Sequence, residues 1–526
     1  MPGQLTQSVS SRRKELAHTT LGPVVGVARP ESLSFQGVRF GAPTGGAYRF
    51  LPPRVPVPWS EPRTAFVPGP SAPQLIGAES SDPFYSWYSR VDAIDEDCLF
   101  LNVFTPALSG EPRPVLVWIH GGGWREFSGN APGFDGSGLA AEEDVVVISV
   151  NHRLGVFGFL SLPDDQAEFA DSANAGLLDI VLALRWVREN AVHFGGDAGN
   201  ITIFGESGGA SKVVALASMP SARGLFHKAV VQSSGGGLQL ASLEEAAKHS
   251  RAFKRALGHE EWSGKDLQRL TTEQILAGFE KAPGAFRGTI DGRSLYADPL
   301  VASPVEHATP SGVPMMIGFN ATEASYYFRR HTEIFEIDLE TACRRLIKFL
   351  AVGDEAGQTV IDRFLDLYPA LSPGELLIRV TSDYQFTRNN VELALRQAKN
   401  APSSTFLYRF DYPSAIEAVR LGAPHTSELP YIFGTLDEAA AHIGTAATHA
   451  DMSRIMMRSW ASFARHGNPN NDLLPVWRPF DADGLAVMAL DLAPRAERLP
   501  QQAAIDVFKG LPFAGYQNPR SALLNG

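Results

Sequence analysis

The run Ile201-Thr202-Ile203-Phe204, followed at once by Gly205-Glu206-Ser207-Gly208-Gly209, restricts what this chain can fold into more than any other stretch. Its first part is β-branched and aromatic, the composition of a buried strand, and Lys212-Val213-Val214-Ala215-Leu216-Ala217 resumes with the apolar spacing of a helix. A strand driven straight into a helix needs a tight turn. Gly205 and Gly209 stand two before and two after Ser207, where strand and helix must pass closely. Such a turn lifts the Ser207 hydroxyl clear of the backbone, at a helix N-terminus whose free N–H groups favour developing negative charge. Ser207 is therefore a candidate nucleophile. Taken alone, a glycine-rich turn around a serine also reads as an ordinary loop, so the neighbouring segments decide.

Those segments repeat the same alternation. Val115-Leu116-Val117-Trp118-Ile119, Val145 to Val150, Lys228 to Gln232, Val313 to Gly318 and Thr405 to Phe410 are short apolar runs suited to buried strands. Ala175 to His193 carries helical spacing and is stopped by Phe194-Gly195-Gly196-Asp197. The expected fold class is α/β, a mainly parallel central sheet flanked by helices on both faces. Gly22 to Phe50 reads as a small antiparallel meander, residues 240–310 and 332–400 as mostly helical caps, and Ser453 to Arg465 as a final helix. With no internal repeat and no low-complexity linker, one domain over residues 21–512 is preferred, with loose tails at 1–20 and 513–526.

Composition narrows the partners. The net charge is −11, and no cluster of Lys and Arg offers phosphates a surface, which argues against nucleic acid and anionic membranes. No stretch has the ~18 uninterrupted apolar residues that a membrane span needs. Met1 to Thr20 is polar and lacks the apolar core of a secretory signal. Only two cysteines occur, Cys98 and Cys343, the usage of a reducing compartment. A cytoplasmic protein, acting as a monomer or homodimer on small molecules, is expected.

His120-Gly121-Gly122-Gly123-Trp124 follows the strand ending at Ile119. Three glycines in a row let backbone N–H groups turn toward a ligand, so Gly122 and Gly123 are candidates for an oxyanion hole completed by the N–H of Gly208. His120 reads as structural. Phe84, Tyr85, Trp87 and Tyr88 read either as a hydrophobic loop packed on the body or as the rim of an apolar pocket. No metal-ligand spacing or dinucleotide fingerprint is apparent, so no cofactor is expected.

Taken together, these motifs resemble the type-B carboxylesterases of the cholinesterase-like α/β-hydrolase family, of bacterial type, and the likeness covers about residues 21–512. It rests on Glu-Asp-Cys-Leu-Phe-Leu-Asn-Val at 96–103, His-Gly-Gly-Gly at 120–123, Asn-Ala-Gly-Leu-Leu-Asp at 174–179, Phe-Gly-Gly-Asp at 194–197 and the elbow at 204–209. The family often has Ala after the nucleophile, where this chain has Gly208. The resemblance implies Ser207 as nucleophile, Glu323 as triad acid and His425 as base. It also implies Ser233 as a hydroxyl supporting the acid, with Glu206 beside the nucleophile as a further supporting residue. In many secreted relatives the Cys of Glu-Asp-Cys-Leu closes a disulfide with an upstream Cys; here Ala72-Pro73-Gln74 stands where the family often has Cys-Pro-Gln. Cys98 is then expected as a free, mostly buried thiol, and residues 75–95 as a mobile segment.

The residues give a separate check. α/β-Hydrolases order the triad as Ser, acid, His along the chain. After Glu323 stand His331, His425, His442, His449 and His466, of which only His425 follows a convincing strand in a loop of turn formers. Asp291, Asp298 and Glu333 compete for the acid, but Glu323 lies just past a core strand, where sheet enzymes place site residues. The expected function is hydrolysis of carboxylic esters through an acyl-enzyme intermediate. A hydrolase of aryl carbamates or amides would use the same residues. A non-catalytic cholinesterase-like binding module is disfavoured because all three triad residues are present.

Overall fold

The computed structural model describes residues 13–162, 167–300, 312–416, 420–515 and 520–525. Its main element is a thirteen-stranded sheet. The strands that matter here are β1 (Lys14–Thr19), β2 (Gly22–Ala28), β3 (Leu33–Arg39), β4 (Phe100–Thr105), β5 (Arg113–Ile119), β6 (Val146–Val150), β7 (Gly196–Glu206), β8 (Lys228–Gln232), β9 (Met315–Asn320), β10 (Thr405–Phe410), β11 (Ala486–Leu490) and β12 (Arg495–Arg498). Their order across the sheet is β1-β2-β3-β4-β6-β5-β7-β8-β9-β10-β11-β12. From β6 to β11 every pairing is parallel. Pairing is antiparallel from β1 through β4 to β6, and again at β12.

The apolar runs read as buried strands are buried on both faces. In β5, Val115, Val117 and Ile119 enter one core cluster while Leu116 and Trp118 enter the other. The same alternation splits Val146 and Ile148 from Val147, and Met315 and Ile317 from Met316. Side chains alternate with period two, so a continuous apolar run is what a sheet covered on both sides requires. One face is covered by helices α1 (Ala175–Asn190), α2 (Gly208–Ser218) and α3 (Arg388–Asn400), which contribute Leu177, Val213 and Val391 to the first cluster. Helix α4 (His449–His466) covers the other face with Met452 and Trp460. A third cluster joins the capping helices Leu339–Leu350, Asp354–Leu367 and Pro373–Ser382.

Three expectations are revised. Lys14–Thr19, placed in the loose N-terminal tail, is an edge strand registered on β2 from Lys14 opposite Val27 to Thr19 opposite Gly22. Its polar residues hid it, because only Ala17 and Thr19 turn inward. The C-terminal tail includes a helix, Arg520–Asn525, whose Leu523 is buried in the third cluster. The helix expected from Ser453 begins at His449 and is not the last: strands β11 and β12 and the helix Gln502–Val507 follow it. Residues 1–12, 301–311 and 516–519, which fall within the tail and cap expectations, lie outside the described residues.

Cys98 and Cys343 are both free. Cys98 is fully buried at the entry to β4, and burial pushes its thiol well above the ordinary range, whereas Cys343 is half-buried on a capping helix. A thiol count under denaturing, non-reducing conditions should give two sulfhydryls. In the folded protein Cys343 should react first and Cys98 only on unfolding; a count of zero in monomeric protein would contradict this arrangement.

Candidate active site

Strand β7 ends at Glu206 and helix α2 begins at Gly208, so Ser207 alone makes the turn between them. Its backbone sits at φ 55° and ψ −122°, a region that costs a non-glycine residue on the order of 1–3 kcal/mol. The surroundings hold it there. Ser207 N–H donates to the Gln232 carbonyl of β8 at 2.9 Å, and the Ser207 carbonyl accepts from Ser211 N–H at 3.1 Å. The close passage read from the sequence is present at Gly209, where an added Cβ would stand 2.0 Å from the Ile119 carbonyl oxygen of β5. Ser207 is half-buried and opens into a cavity of about 600 Å³.

Parallel pairing of β5 with β7, with Ile119 opposite Gly205, brings the loop 120–123 beside the turn. Gly122 and Gly123 both have positive φ, 82° and 62°. The loop and the helix start are in contact: a Cβ at Gly208 would lie 2.0 Å from the Gly123 carbonyl oxygen. As the loop lies in this chain, the Ala that the family often has at this position would not fit without a shift of the loop. Among the described residues, the N–H groups of Gly122, Gly123 and Gly208 donate to no protein acceptor. Gly121, Gly122, Gly123, Ser207 and His425 all line the cavity.

Glu323 follows β9 and His425 lies in the loop that follows β10, so both arise from the carboxyl ends of neighbouring parallel strands. His425 Nδ1 is 2.7 Å from Glu323 Oε2, and the His425 N–H donates to the Glu323 carbonyl at 3.2 Å. His425 Nε2 faces Glu206 Oε1 at 3.0 Å. No hydrogen bond joins it to Ser207 in this resting arrangement, a looseness common before substrate is bound. Burial alone disfavours the imidazolium, but the carboxylates of Glu206 and Glu323 outweigh it and raise the His425 pKa to about 9. Burial pushes Glu206 well above the usual carboxylate range, and it raises Glu428 as well.

Two residues that the sequence reading did not single out support this arrangement. Asn320, the last residue of β9, donates its N–H to Glu323 Oε1 at 2.8 Å. Its side-chain amide donates to Glu428 Oε2 at 2.8 Å and to the Pro424 carbonyl, next to His425, at 2.7 Å. Glu428 also accepts from Gln232, which in turn accepts from Trp460. A polar residue ending an apolar strand three positions before the acid was the available signal for Asn320.

Ser233 does not play the part that the resemblance implied. Its hydroxyl is buried without a hydrogen-bond partner, its N–H donates to the Gly318 carbonyl at 2.8 Å, and its φ is 51°. Glu323 Oε1 accepts from the Asn320 N–H and Oε2 faces His425 Nδ1. Glu206, next to Ser207 in the chain, faces the Nε2 side of His425.

The remaining candidates lie elsewhere. His120 is buried, stacks on His152 at 4.8 Å and has Nδ1 3.0 Å from the Gly121 carbonyl. His331 pairs with Glu333 near the surface. His442 is buried among Phe84 and Trp87, His449 begins α4 against Tyr412 and Tyr431, and His466 ends α4 before Gly467. Asp291 and Asp298 accept backbone N–H groups of their own loops. Among the described residues no group of three or more His, Cys, Asp or Glu could hold a metal ion.

The aromatic segment satisfies both readings. Phe84 and Trp87 are buried in the body, while Tyr88 lines the cavity and shares a hydrogen bond with Tyr326 OH. Phe127, Phe134 and Tyr327 extend the apolar wall, and Arg330, paired with Asp82, stands at its edge. The site thus offers a cavity with one aromatic wall, a hydroxyl on a strained turn, an imidazole backed by carboxylate and three N–H donors that bond no protein acceptor.

Residues 13–513 match the carboxylesterase family model. The chain is 33% identical over 499 residues to a phenmedipham hydrolase of Pseudarthrobacter oxydans, covering 91% of this chain and 95% of that protein. It is 32% identical over 499 residues to a para-nitrobenzyl esterase of Bacillus subtilis, covering 93% and 97%. A crystallised carboxylesterase of Geobacillus stearothermophilus superposes with a TM-score of 0.81 at 32% identity, over 94% of this chain and 100% of that one. With the family model matched over residues 13–513 and the fold over 94% of the chain, the protein belongs to the carboxylesterase family and is a carboxylic ester hydrolase.

Proposed function

We propose that hydrolysis runs through Ser207 as nucleophile, His425 as base and Glu323 as the acid that orients it. The observation that carries this reading is His425, bonded through Nδ1 to Glu323 and lining the same cavity as Ser207. Ser207 Oγ attacks the ester carbonyl carbon as His425 Nε2 takes its proton, and the carbonyl electron pair moves onto oxygen. The N–H groups of Gly122, Gly123 and Gly208 receive that oxyanion, where each preorganised donor contributes on the order of 3–4 kcal/mol. Collapse expels the alcohol, which leaves with the proton from His425. Water, deprotonated by the same imidazole, then releases the acid and restores Ser207.

Tyr88, Phe127 and Phe134 favour an ester with an apolar acyl or alcohol part. One chain lines the whole cavity, so a monomer or homodimer serves equally. The free thiols of Cys98 and Cys343 support a cytoplasmic setting. A single α/β-hydrolase unit over residues 21–512 belongs to the same reading.

Ser207→Ala should lower kcat for an aryl ester by roughly 10⁴-fold or more and leave the melting temperature nearly unchanged. Retention of more than a few per cent of activity by pure variant would refute the assignment. Running an aryl carbamate beside the ester gives the bond preference, and a larger kcat/KM for the carbamate would reverse the proposed substrate class.

The base must be neutral to act, so kcat/KM should rise with pH through the pKa of His425. Both neighbouring carboxylates favour its charged form, which puts that rise above the ordinary 6.5. Glu206→Gln removes one of them and should move the rise to lower pH. An unmoved profile would show that Glu206 does not act on the base.

A further inference from the structure

Lys212 lies in α2, five residues after Ser207, where the sequence suggested only a helix position. Its side chain is fully buried, and no carboxylate among the described residues pairs with it. Burial drives the pKa of this amine down to about 7. Desolvating an amine without a counter-ion costs several kcal/mol, so its position must be offset by what it bonds. It bonds the loop of the site. Lys212 Nζ donates to the Gly123 carbonyl at 2.8 Å and to the His120 carbonyl at 3.3 Å, and lies 5.7 Å from the centre of the Trp124 ring.

Every carbonyl of residues 120–123 is engaged. The Gly121 carbonyl faces His120 Nδ1 at 3.0 Å, and the Gly122 carbonyl accepts from the N–H groups of Arg125 and Glu126 at 3.3 and 3.2 Å. Each carbonyl shares a rigid plane with the N–H of the next residue, so fixing the oxygen fixes the donor. The planes bearing the Gly122 and Gly123 N–H groups are fixed by His120 and by the turn at 125–126. Lys212 fixes the two planes on either side of them. From the other direction the start of α2 closes on the same loop, since Gly208 leaves no room for a Cβ against the Gly123 oxygen. The ammonium and the neutral amine both keep at least two N–H donors, so the clamp survives titration of Lys212.

We propose that Lys212 is the positioning residue of the oxyanion site: by bracketing loop 120–123 through the His120 and Gly123 carbonyls, it holds the Gly122 and Gly123 N–H groups in line with that of Gly208. The inference rests on the reading of those N–H groups as the oxyanion donors. It assigns Lys212 to transition-state stabilisation rather than to substrate binding, and to a loop held from behind by a side chain that never touches substrate.

The test is Lys212→Met, which keeps length and volume and removes the donors. For an aryl butyrate, kcat should fall roughly 10- to 100-fold while KM stays within about threefold, because only an interaction realised in the transition state is weakened. An aryl trifluoromethyl ketone places a tetrahedral oxyanion on Ser207, and its affinity should fall by the same factor as kcat. The alcohol product, which carries no oxyanion, should bind as before. Unchanged kcat, a loss confined to KM, or equal loss for ketone and alcohol would each overturn the proposal. If the Met variant does not fold, Lys212→Gln is read by the same criteria; if neither folds, the lysine serves only the core and the proposal falls. Ester hydrolysis by the wild type, lost in Ser207→Ala, is measured alongside, so failure of the triad reading is seen separately from failure of the Lys212 role.

Discussion

The site depends on the lateral pairing of β5 with β7. With Ile119 opposite Gly205, the first residues beyond one strand end lie beside the first beyond the other, and nothing more is needed to bring the glycine loop against Ser207. The neighbouring pairings extend the same edge, with Glu206 opposite Gln232 and Asn320 opposite Phe410. A parallel sheet ends all its strands on one side, which is why residues more than a hundred positions apart meet there. The apolar interior of the strands supplies this precision. Packed on both faces, they cannot slide in register without exchanging side chains between two close-packed cores. The strained backbone of Ser207 is held by that rigidity, through its bond to β8 and the contact of Gly209 with Ile119.

Around His425 the balance is electrostatic, and magnitudes decide it. Burying an imidazolium is unfavourable by several kcal/mol, but two unit charges about 4 Å apart at an effective dielectric near 20 attract by about 4 kcal/mol. With Glu323 on Nδ1 and Glu206 on Nε2, attraction wins and the base is raised. The same burial raises Glu206, which faces Nε2, and Glu428 behind the acid, so these two groups compete with the imidazole for protons. Asn320 holds the acid side of this group: one residue bonds Glu323, Glu428 and the carbonyl before His425. It therefore acts on the orientation of the base without touching it.

The parts legible in the sequence were those encoded locally. The Ser207 turn, the three glycines after β5 and the central strands each declare themselves within ten residues or fewer, through backbone demands that few residue types meet. Glu323 and His425 needed a rule of chain order, and the resemblance, because their partnership spans the fold. Asn320, Glu428 and Lys212 were not legible as site residues, since each acts through hydrogen bonds to groups far along the chain. Ser233 failed for a related reason. Its motif places a hydroxyl near the acid, but whether that hydroxyl bonds the carboxylate is decided by the turn after β8, and here it bonds no protein acceptor while the Asn320 N–H does hold Glu323. Strand β1 escaped because an edge strand needs few apolar residues to pair.

The segment before Cys98, where the resemblance implied a disulfide in secreted relatives and this chain has none, is held by packing. A disulfide closing a loop of this size would stabilise it by roughly 3 kcal/mol, whereas burying one large aromatic side chain contributes about 1.5–3 kcal/mol. Phe84 and Trp87 are both 1% exposed, and Trp87 lies so close over Gly133 that a Cβ there would stand 2.2 Å from the ring. These two anchors alone match the missing bond, with the Arg330–Asp82 pair and the Tyr88–Tyr326 hydrogen bond added to them. The difference lies in what the anchors touch. A disulfide at residue 98 would pin the base of the segment, but Trp87 packs at 4.8 Å on Tyr88, which is itself a wall of the cavity. Stability of the segment and shape of the substrate pocket are therefore set by the same side chains in this protein.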